Sequence, residues 1–128
     1  MNDIRVVIID DEPIAIEVIK ELIAHLTTGL VVESTASNGI EAVEKIASLK
    51  PDLVFMDVDM PLMNGIEVLQ KFPDRSFEII FTTGFESYTL KKMKHEPVDY
   101  LLKPIDPDEF ITAVQKVRNK MGITNDPA

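Results

Sequence analysis

The chain has 128 residues, a net charge of −9, 45% hydrophobic residues and no cysteine. This length and composition fit one compact domain with a packed core, and the lack of cysteine excludes disulfide and thiol chemistry within the chain. The negative charge argues against direct nucleic-acid binding. No apolar run reaches the roughly 20 residues of a membrane span, so we predict no membrane association and a cytoplasmic location.

Short apolar runs alternate along the chain with segments of helical period, a pattern that predicts five βα units. The predicted strands cover residues 6–9, 30–35, 53–56, 79–81 and 100–102. The five predicted helices begin at Pro13, at Asn38-Gly39, near Val68, at Glu86 and at Asp106. Continuous apolar strands between amphipathic helices indicate an α/β fold, with a parallel sheet covered by helices on both faces.

The apolar positions of the first and last helices predict which of their faces enter the core. In the first helix the predicted buried stripe repeats every four residues and consists of Ile14, Val18, Leu22 and Leu26. In the last helix the predicted core face consists of Phe110, Val114, Val117 and Met121. This last helix also has a strong start at Asp106, because a capping residue, a proline and an acid three residues later occur together.

Polar side chains follow four of the five predicted strands. Asp10 and Asp11 follow the first strand, Asp57 the third, Thr83 the fourth and Lys103 the fifth. The carboxyl ends of parallel strands share one edge of a sheet, and ligands of such sheets bind there. We therefore expect these side chains to converge on one pocket.

A pocket of carboxylates, a hydroxyl and an ammonium group suits phosphoryl chemistry around a hard cation. Crowded carboxylates repel one another until a cation arrives, and oxygen ligands suit Mg²⁺, with Mn²⁺ as a possible substitute. A carboxylate can also attack phosphorus and hold the group as an acyl phosphate. Each residue alone has an ordinary interpretation as a cap or turn residue, but their occurrence together at successive strand ends favours a site.

Four stretches of the sequence resemble the response-regulator receiver family, across residues 4 to about 120. They are VVIIDDEP at 6–13, DVDMPLMNG at 57–65, TTG at 82–84 and YLLKP at 100–104. The resemblance implies a flavodoxin-like (βα)5 fold, a doubly wound parallel sheet with strand order 2-1-3-4-5. It also implies that residues 1–122 form the receiver domain and that residues 123–128 are a tail or the start of a linker to an output domain absent from this chain.

The resemblance implies a role for each polar residue at the strand ends. Asp57 is the expected phosphoacceptor, and Asp10, Asp11 and Asp57 are the expected Mg²⁺ ligands, together with the backbone carbonyl of Asp59. Thr83 and Lys103 are expected to assist phosphoryl transfer. Thr83 and Tyr100 are the expected switch residues, and the Lys103-Pro104 peptide is expected to be cis.

The function implied by the resemblance is that of a two-component signal transduction receiver. It would take a phosphoryl group from a sensor histidine kinase and would catalyse only its own phosphorylation and dephosphorylation, so we do not expect a conventional enzyme. The stretches DDEP at 10–13, FTTGF at 81–85 and DYLLKPI at 99–105 are most similar to receivers of LytTR-type (LytR/AlgR) transcriptional regulators. A DNA-binding output domain in cis is therefore expected, and a homodimer through the fourth helix, fifth strand and fifth helix is the favoured assembly.

Two other interpretations stay open from the sequence. The stretch FMDVD at 55–59 is similar to the haloacid dehalogenase signature, in which the first aspartate is a phosphorylated nucleophile, although that family carries the motif on its first strand. Alternatively, the chain is a degenerate receiver that only docks a partner, which the complete set of acids with Thr83 and Lys103 disfavours. Asp59 also places an additional negative charge beside the site.

Overall fold

The computed structural model describes residues 3–84 and 98–122 of the chain. Its strands are β1 (Ile4–Ile9), β2 (Leu30–Ala36), β3 (Leu53–Asp57), β4 (Glu78–Thr83) and β5 (Asp99–Leu102). Its helices are α1 (Pro13–Leu26), α2 (Gly39–Leu49), α3 (Gly65–Gln70) and α4 (Pro107–Met121). The helix predicted over residues 86–94 lies outside the described residues, so the predicted fifth helix is named α4. None of these four helices is both long and apolar enough to cross a membrane.

The five strands form one parallel sheet in the order β2-β1-β3-β4-β5, which confirms the predicted fold and strand order. The chain leaves β1 toward β2 on one side and returns to β3 on the other. The carboxyl ends of β1 and β3 therefore border the crevice where the strand order reverses, which is where ligands of such sheets bind.

The core consists of two apolar layers, one on each face of the sheet. On one face α1 and α4 pack against β1, β3 and β4, and the rings of Phe55 and Phe110 stack with their centroids 5.5 Å apart. On the other face α2 and α3 cover a second cluster that includes Val54, Met56 and Phe81. Since the central strands are buried on both faces, they need continuous apolar runs, and this explains their strong sequence signal.

The predicted buried stripe of α1 is wrong. The buried residues of α1 are Ile16, Ile19 and Ile23, whereas Ile14 is 78% exposed and Val18 is 42% exposed. Leu26 is also exposed, and Leu22 packs only partly against the core. A strict four-residue repeat drifts by about 40° per step around a helix of 3.6 residues per turn, whereas the spacing of three and four stays on one face.

The prediction for the last helix is confirmed. The Asp106 side chain accepts a hydrogen bond from the backbone amide of Glu109 at 3.0 Å, which caps α4 at its start. Phe110, Val114 and Val117 are buried, and Met121 packs partly against the same cluster. The helix ends at Met121, and the φ of +75° at the following Gly122 is the left-handed conformation that glycine adopts most easily.

Gly65 should be sensitive to substitution because the backbone of β3 passes directly above it. A Cβ at this position would lie 2.6 Å from the carbonyl oxygen of Asp57, so we expect Gly65→Ala to lower the free energy of unfolding by about 1–3 kcal/mol. Gly84→Ala is the matched control, because its Cβ would meet no atom of the described residues within 4 Å. Urea unfolding measures both, and equal stabilities for the two variants would contradict the close approach.

Candidate functional site

Three carboxylates meet at the carboxyl ends of β1 and β3. Asp10 follows β1 directly and is buried, and Asp57 is the last residue of β3, only 2% exposed. Each of Asp10, Asp11 and Asp57 offers a carboxylate oxygen, and these oxygens lie within 4.8 Å of one another. The predicted convergence of the acidic pair with Asp57 is therefore found in the structure.

Lys103 brings positive charge to these carboxylates from β5. Its Nζ lies 2.9 Å from Asp10 Oδ2, 3.4 Å from Glu12 Oε1 and 3.6 Å from Asp57 Oδ2. The Lys103 backbone amide donates to the carbonyl of Thr83 at 2.8 Å, and the Lys103-Pro104 peptide is cis, as predicted. The contact with Glu12 was not predicted, although Glu12 follows the acidic pair directly in the sequence.

Burial and neighbouring charge perturb both groups at the centre of the site. Burial, reinforced by the negative charge of Asp10, raises the pKa of Asp57 from 3.8 to about 7, against the opposing effects of the Asp59 amide and Lys103. Burial alone would lower the pKa of Lys103, but its hydrogen bond to Asp10 and the charges of Asp57 and Asp10 leave it raised. The pocket thus has more negative charge than one ammonium group compensates, which favours a cation.

The loop that follows Asp57 is fixed by backbone hydrogen bonds. The amide of Val58 donates to the carbonyl of Thr82 at 2.9 Å, and the amide of Gly65 donates to the carbonyl of Val58 at 3.2 Å. Asn64 then caps α3 in a reciprocal pair with Glu67, a capping box. These bonds hold residues 58–65 across the end of the sheet, so the loop presents Asp59 to β4.

Asp59 connects the expected phosphoacceptor to the end of β4. Its backbone amide donates to Asp57 Oδ1 at 2.9 Å. Its exposed side chain accepts hydrogen bonds on Oδ2 from Thr83 Oγ1 at 2.9 Å and from the Gly84 amide at 3.2 Å. For the Asp59 side chain the sequence predicted only an additional negative charge, and its one signal was an acid two residues after the expected phosphoacceptor.

The structure places the two expected switch residues on neighbouring strands. Thr83 is the last residue of β4 and is buried. Tyr100 lies on β5, where it pairs with Phe81 of β4, and its half-buried side chain packs against the core cluster beneath α2 and α3. Motion of either residue stays a prediction, as does the role of the Asp59 backbone carbonyl.

The donor set of this site fits a hard divalent cation. Asp10, Asp11 and Asp57 offer only carboxylate oxygens, which suit Mg²⁺ and leave positions for water and phosphate. Among the described residues no histidine or cysteine belongs to the cluster, whereas zinc sites are built mainly from those two. The residues present therefore fit the predicted metal, and Mn²⁺ would find the same oxygen ligands.

Comparison with known proteins identifies the family. Residues 6–115 match the response regulator receiver domain family. A response regulatory protein of Vibrio cholerae is 40% identical over 111 residues, which cover 86% of this chain and 46% of that protein. The positive alginate biosynthesis regulatory protein of Pseudomonas aeruginosa is 37% identical over 114 residues, covering 88% of this chain and 46% of that protein.

Solved structures agree with this relationship. The receiver domain of AraT, a response regulator from Geobacillus stearothermophilus, superposes with a TM-score of 0.83 at 31% identity, covering 95% of this chain and 97% of that one. This chain belongs to the response regulator receiver family and is the receiver domain of a two-component response regulator. It spans about half the length of the curated relatives that it matches.

The raised pKa of Asp57 predicts that the site destabilises the metal-free fold. Between pH 3.8 and about 7 the folded chain binds more protons at Asp57 than the unfolded chain, so the stability falls as the pH rises through this window. We expect Asp57→Asn to raise the free energy of unfolding at pH 8, without Mg²⁺, by on the order of 3 kcal/mol.

Urea unfolding at pH 8 and at pH 3.5 measures this effect, which should nearly vanish at the lower pH. Asp74→Asn is the control, because Asp74 is an exposed acid away from the site. Added Mg²⁺ should narrow the difference at pH 8 by stabilising the wild type. An Asp57→Asn protein less stable than wild type at pH 8 would show that the buried carboxylate is not under this strain.

Proposed function

We propose that Asp57 accepts a phosphoryl group from the phosphohistidine of a cytoplasmic sensor kinase, with Mg²⁺ held by Asp10, Asp11 and Asp57. A carboxylate oxygen of Asp57 would attack phosphorus, the bond from phosphorus to the imidazole nitrogen would break, and the imidazole would leave. The observation that carries the proposal is the buried Asp57 carboxylate, grouped with two further carboxylates and 3.6 Å from the Lys103 ammonium.

Each neighbour of Asp57 has a physical part in this reaction. Mg²⁺, when bound, supplies positive charge for the phosphoryl oxygens. Lys103 supplies a second positive charge at the site, and its raised pKa keeps it protonated. Thr83 offers a hydroxyl donor once it turns toward the phosphoryl group. The backbone carbonyl of Asp59 completes the proposed metal ligands. We propose that the chain is a switch that modifies itself, and not an enzyme with turnover. The reason is that Asp10 and Asp11 would hold the metal for a phosphoryl group that stays on Asp57 of the same chain.

The dehalogenase-like alternative loses its main support in this fold. Its signature aspartate pair, Asp57 and Asp59, ends and follows the third strand of the sheet, whereas that family carries it on the first strand. The second aspartate would need to act as a general acid, but its carboxylate already accepts two hydrogen bonds. The receiver proposal therefore accounts for more of the site.

The proposed output is a change of packing around Thr83 and Tyr100. New charge on Asp57 attracts the Thr83 hydroxyl, and the Tyr100 ring then fills the apolar space that Thr83 leaves. The predicted fourth helix, β5 and α4 would carry this change and serve as the homodimer face. Within a longer protein it would control a DNA-binding output domain in cis, of the LytTR type, because a relative of about twice this length, from Escherichia coli, is a transcriptional regulatory protein.

Phosphorylation of Asp57 has a direct test. Incubation with acetyl phosphate and Mg²⁺ should add the mass of one phosphoryl group to the wild-type chain, and Asp57→Asn should abolish the addition because the nucleophilic oxygen is gone. Removal of Mg²⁺ by a chelator should suppress labelling of the wild type. Asp74→Asn serves as the control, and unchanged labelling of Asp57→Asn would reject Asp57 as the acceptor.

The exposed apolar face of α1 is a suitable surface for the kinase. A groove of about 560 Å³ lies between the start of α1 and the β5–α4 loop, lined by Ile14 and Val18 on one side and by Lys103 and Ile105 on the other. Asp11 also lines it, so the groove adjoins the acidic cluster. A kinase helix seated against this face would bring its phosphohistidine to the entrance of the site.

Ile14 should therefore affect the rate of phosphoryl transfer from the kinase, but not the rate at which Asp57 reacts with a small phosphoryl donor. We expect Ile14→Ala to slow phosphoryl transfer from a histidine kinase that phosphorylates the wild type, by on the order of tenfold, while labelling by acetyl phosphate stays within twofold. Ile40→Ala is the matched control, since Ile40 is 66% exposed but lies on α2. Equal transfer rates for the two variants would remove α1 from the docking surface.

A further inference from the structure

We propose that the Asp59 carboxylate is an internal competitor of the phosphoryl group, holding the Thr83 hydroxyl and the Gly84 amide until phosphorylation releases them. The inference rests on the proposed function of Asp57 as acceptor and adds a regulatory residue to that site. It begins from one oxygen, Oδ2 of Asp59, which accepts from both donors, at 2.9 Å from Thr83 and 3.2 Å from Gly84.

The donors held by Asp59 are the ones that a phosphoryl group on Asp57 needs. Thr83 ends β4 next to β3, and Asp57 pairs with Thr82 in the register of these two strands. An ionised phosphoryl group has only acceptor oxygens, so it requires hydroxyl and amide donors at this edge of the sheet. A carboxylate is also a negatively charged acceptor, so the Asp59 carboxylate occupies the donors that the phosphoryl group would use.

Asp59 and a phosphoryl group would compete for the one hydroxyl proton of Thr83. A threonine hydroxyl has a single proton to donate, and a carboxylate only accepts, so the Thr83 hydroxyl proton points at Asp59. The Thr83 side chain is 2% exposed, and a buried hydroxyl is stabilised by such a partner. Donation to a phosphoryl oxygen therefore requires that the bond to Asp59 is broken first.

Electrostatics gives the competition its direction. A phosphoryl group adds about −1.5 to −2 charges at neutral pH, and the Asp59 amide is bonded directly to Asp57 Oδ1 at 2.9 Å. The new charge thus lies on Asp57, whose side chain is hydrogen-bonded to the Asp59 backbone. At this short range it repels the Asp59 carboxylate. Asp59 therefore opposes the phosphorylated state in two ways, by holding the two donors and by this repulsion.

Beryllofluoride, a phosphoryl analogue, tests the proposal without hydrolysis. Its affinity for the chain is measured by NMR titration at saturating Mg²⁺. We expect Asp59→Ala to bind about tenfold more tightly than wild type, which corresponds to about 1.4 kcal/mol. Asp59→Asn removes the charge but keeps an acceptor oxygen, so it should gain less. Glu44→Gln, which loses one exposed negative charge on α2, should stay within twofold of wild type.

A double-mutant cycle separates the effect of the hydrogen bond from Thr83 to Asp59 from the effect of charge repulsion by Asp59. In a Thr83→Val background, which has no hydroxyl to hold, the gain from Asp59→Ala should fall below about threefold, leaving the contributions of charge and of the Gly84 amide. A full tenfold gain in that background would reject the competition for Thr83. The Mg²⁺ affinity of Asp59→Ala, titrated separately, should change less than tenfold because the proposed ligand is the backbone carbonyl.

The outcomes distinguish this inference from the function on which it rests. If the wild type is labelled by acetyl phosphate but Asp59→Ala binds beryllofluoride no more tightly, Asp59 is not a competitor and the proposed function stands. If neither the wild type nor any Asp59 variant binds beryllofluoride or takes a label, the proposed function and the inference both fail. Amide spectra of each variant verify that the fold is retained.

Discussion

The mutual repulsion of carboxylates at the end of two adjacent strands is the constraint on which the site depends. The order of the sheet places Asp10 after β1 and Asp57 at the end of β3, with both side chains buried. Burial and the neighbouring charge together raise the pKa of Asp57 to about 7. Keeping these carboxylates buried next to each other lowers the stability of the fold. Such a loss is typical of functional sites. Lys103, 2.9 Å from Asp10, compensates only part of the charge, so the site favours a cation.

Much of the fold could be predicted because its signals are redundant. The strands buried on both faces are continuous apolar runs, and a parallel sheet makes their carboxyl ends converge, so the positions of Asp10, Asp57, Thr83 and Lys103 followed from order alone. The face of α1 was mispredicted because this helix carries two apolar sets, and the prediction took the set with the strict four-residue repeat. Its Ile16 set meets the sheet, which leaves the Ile14 set at the surface.

The contact between Asp59 and Thr83 could not be predicted because it depends on the path of a loop. Residues 58–64 contain no periodic pattern, and their path is set by backbone hydrogen bonds and by Gly65, whose lack of a Cβ lets α3 begin against the carbonyl of Asp57. A sequence shows that an acid follows Asp57 by two positions. It does not show whether that acid faces solvent, a metal or the next strand.

In the proposed function the two sides of the site have different parts, one for the entry of the phosphoryl group and the other for the response to it. On one side Lys103 and Asp11 adjoin the apolar groove beside α1, a surface suited to a donor protein. On the other side Asp59 holds Thr83 at the end of β4, next to the strand that carries Tyr100. The Lys103 backbone amide also donates a hydrogen bond to the Thr83 carbonyl. Thr83, at the end of β4, therefore contacts residues of both sides. A phosphoryl charge on Asp57 would therefore affect both sides, while the residues proposed to contact the donor stay distinct from those proposed to respond.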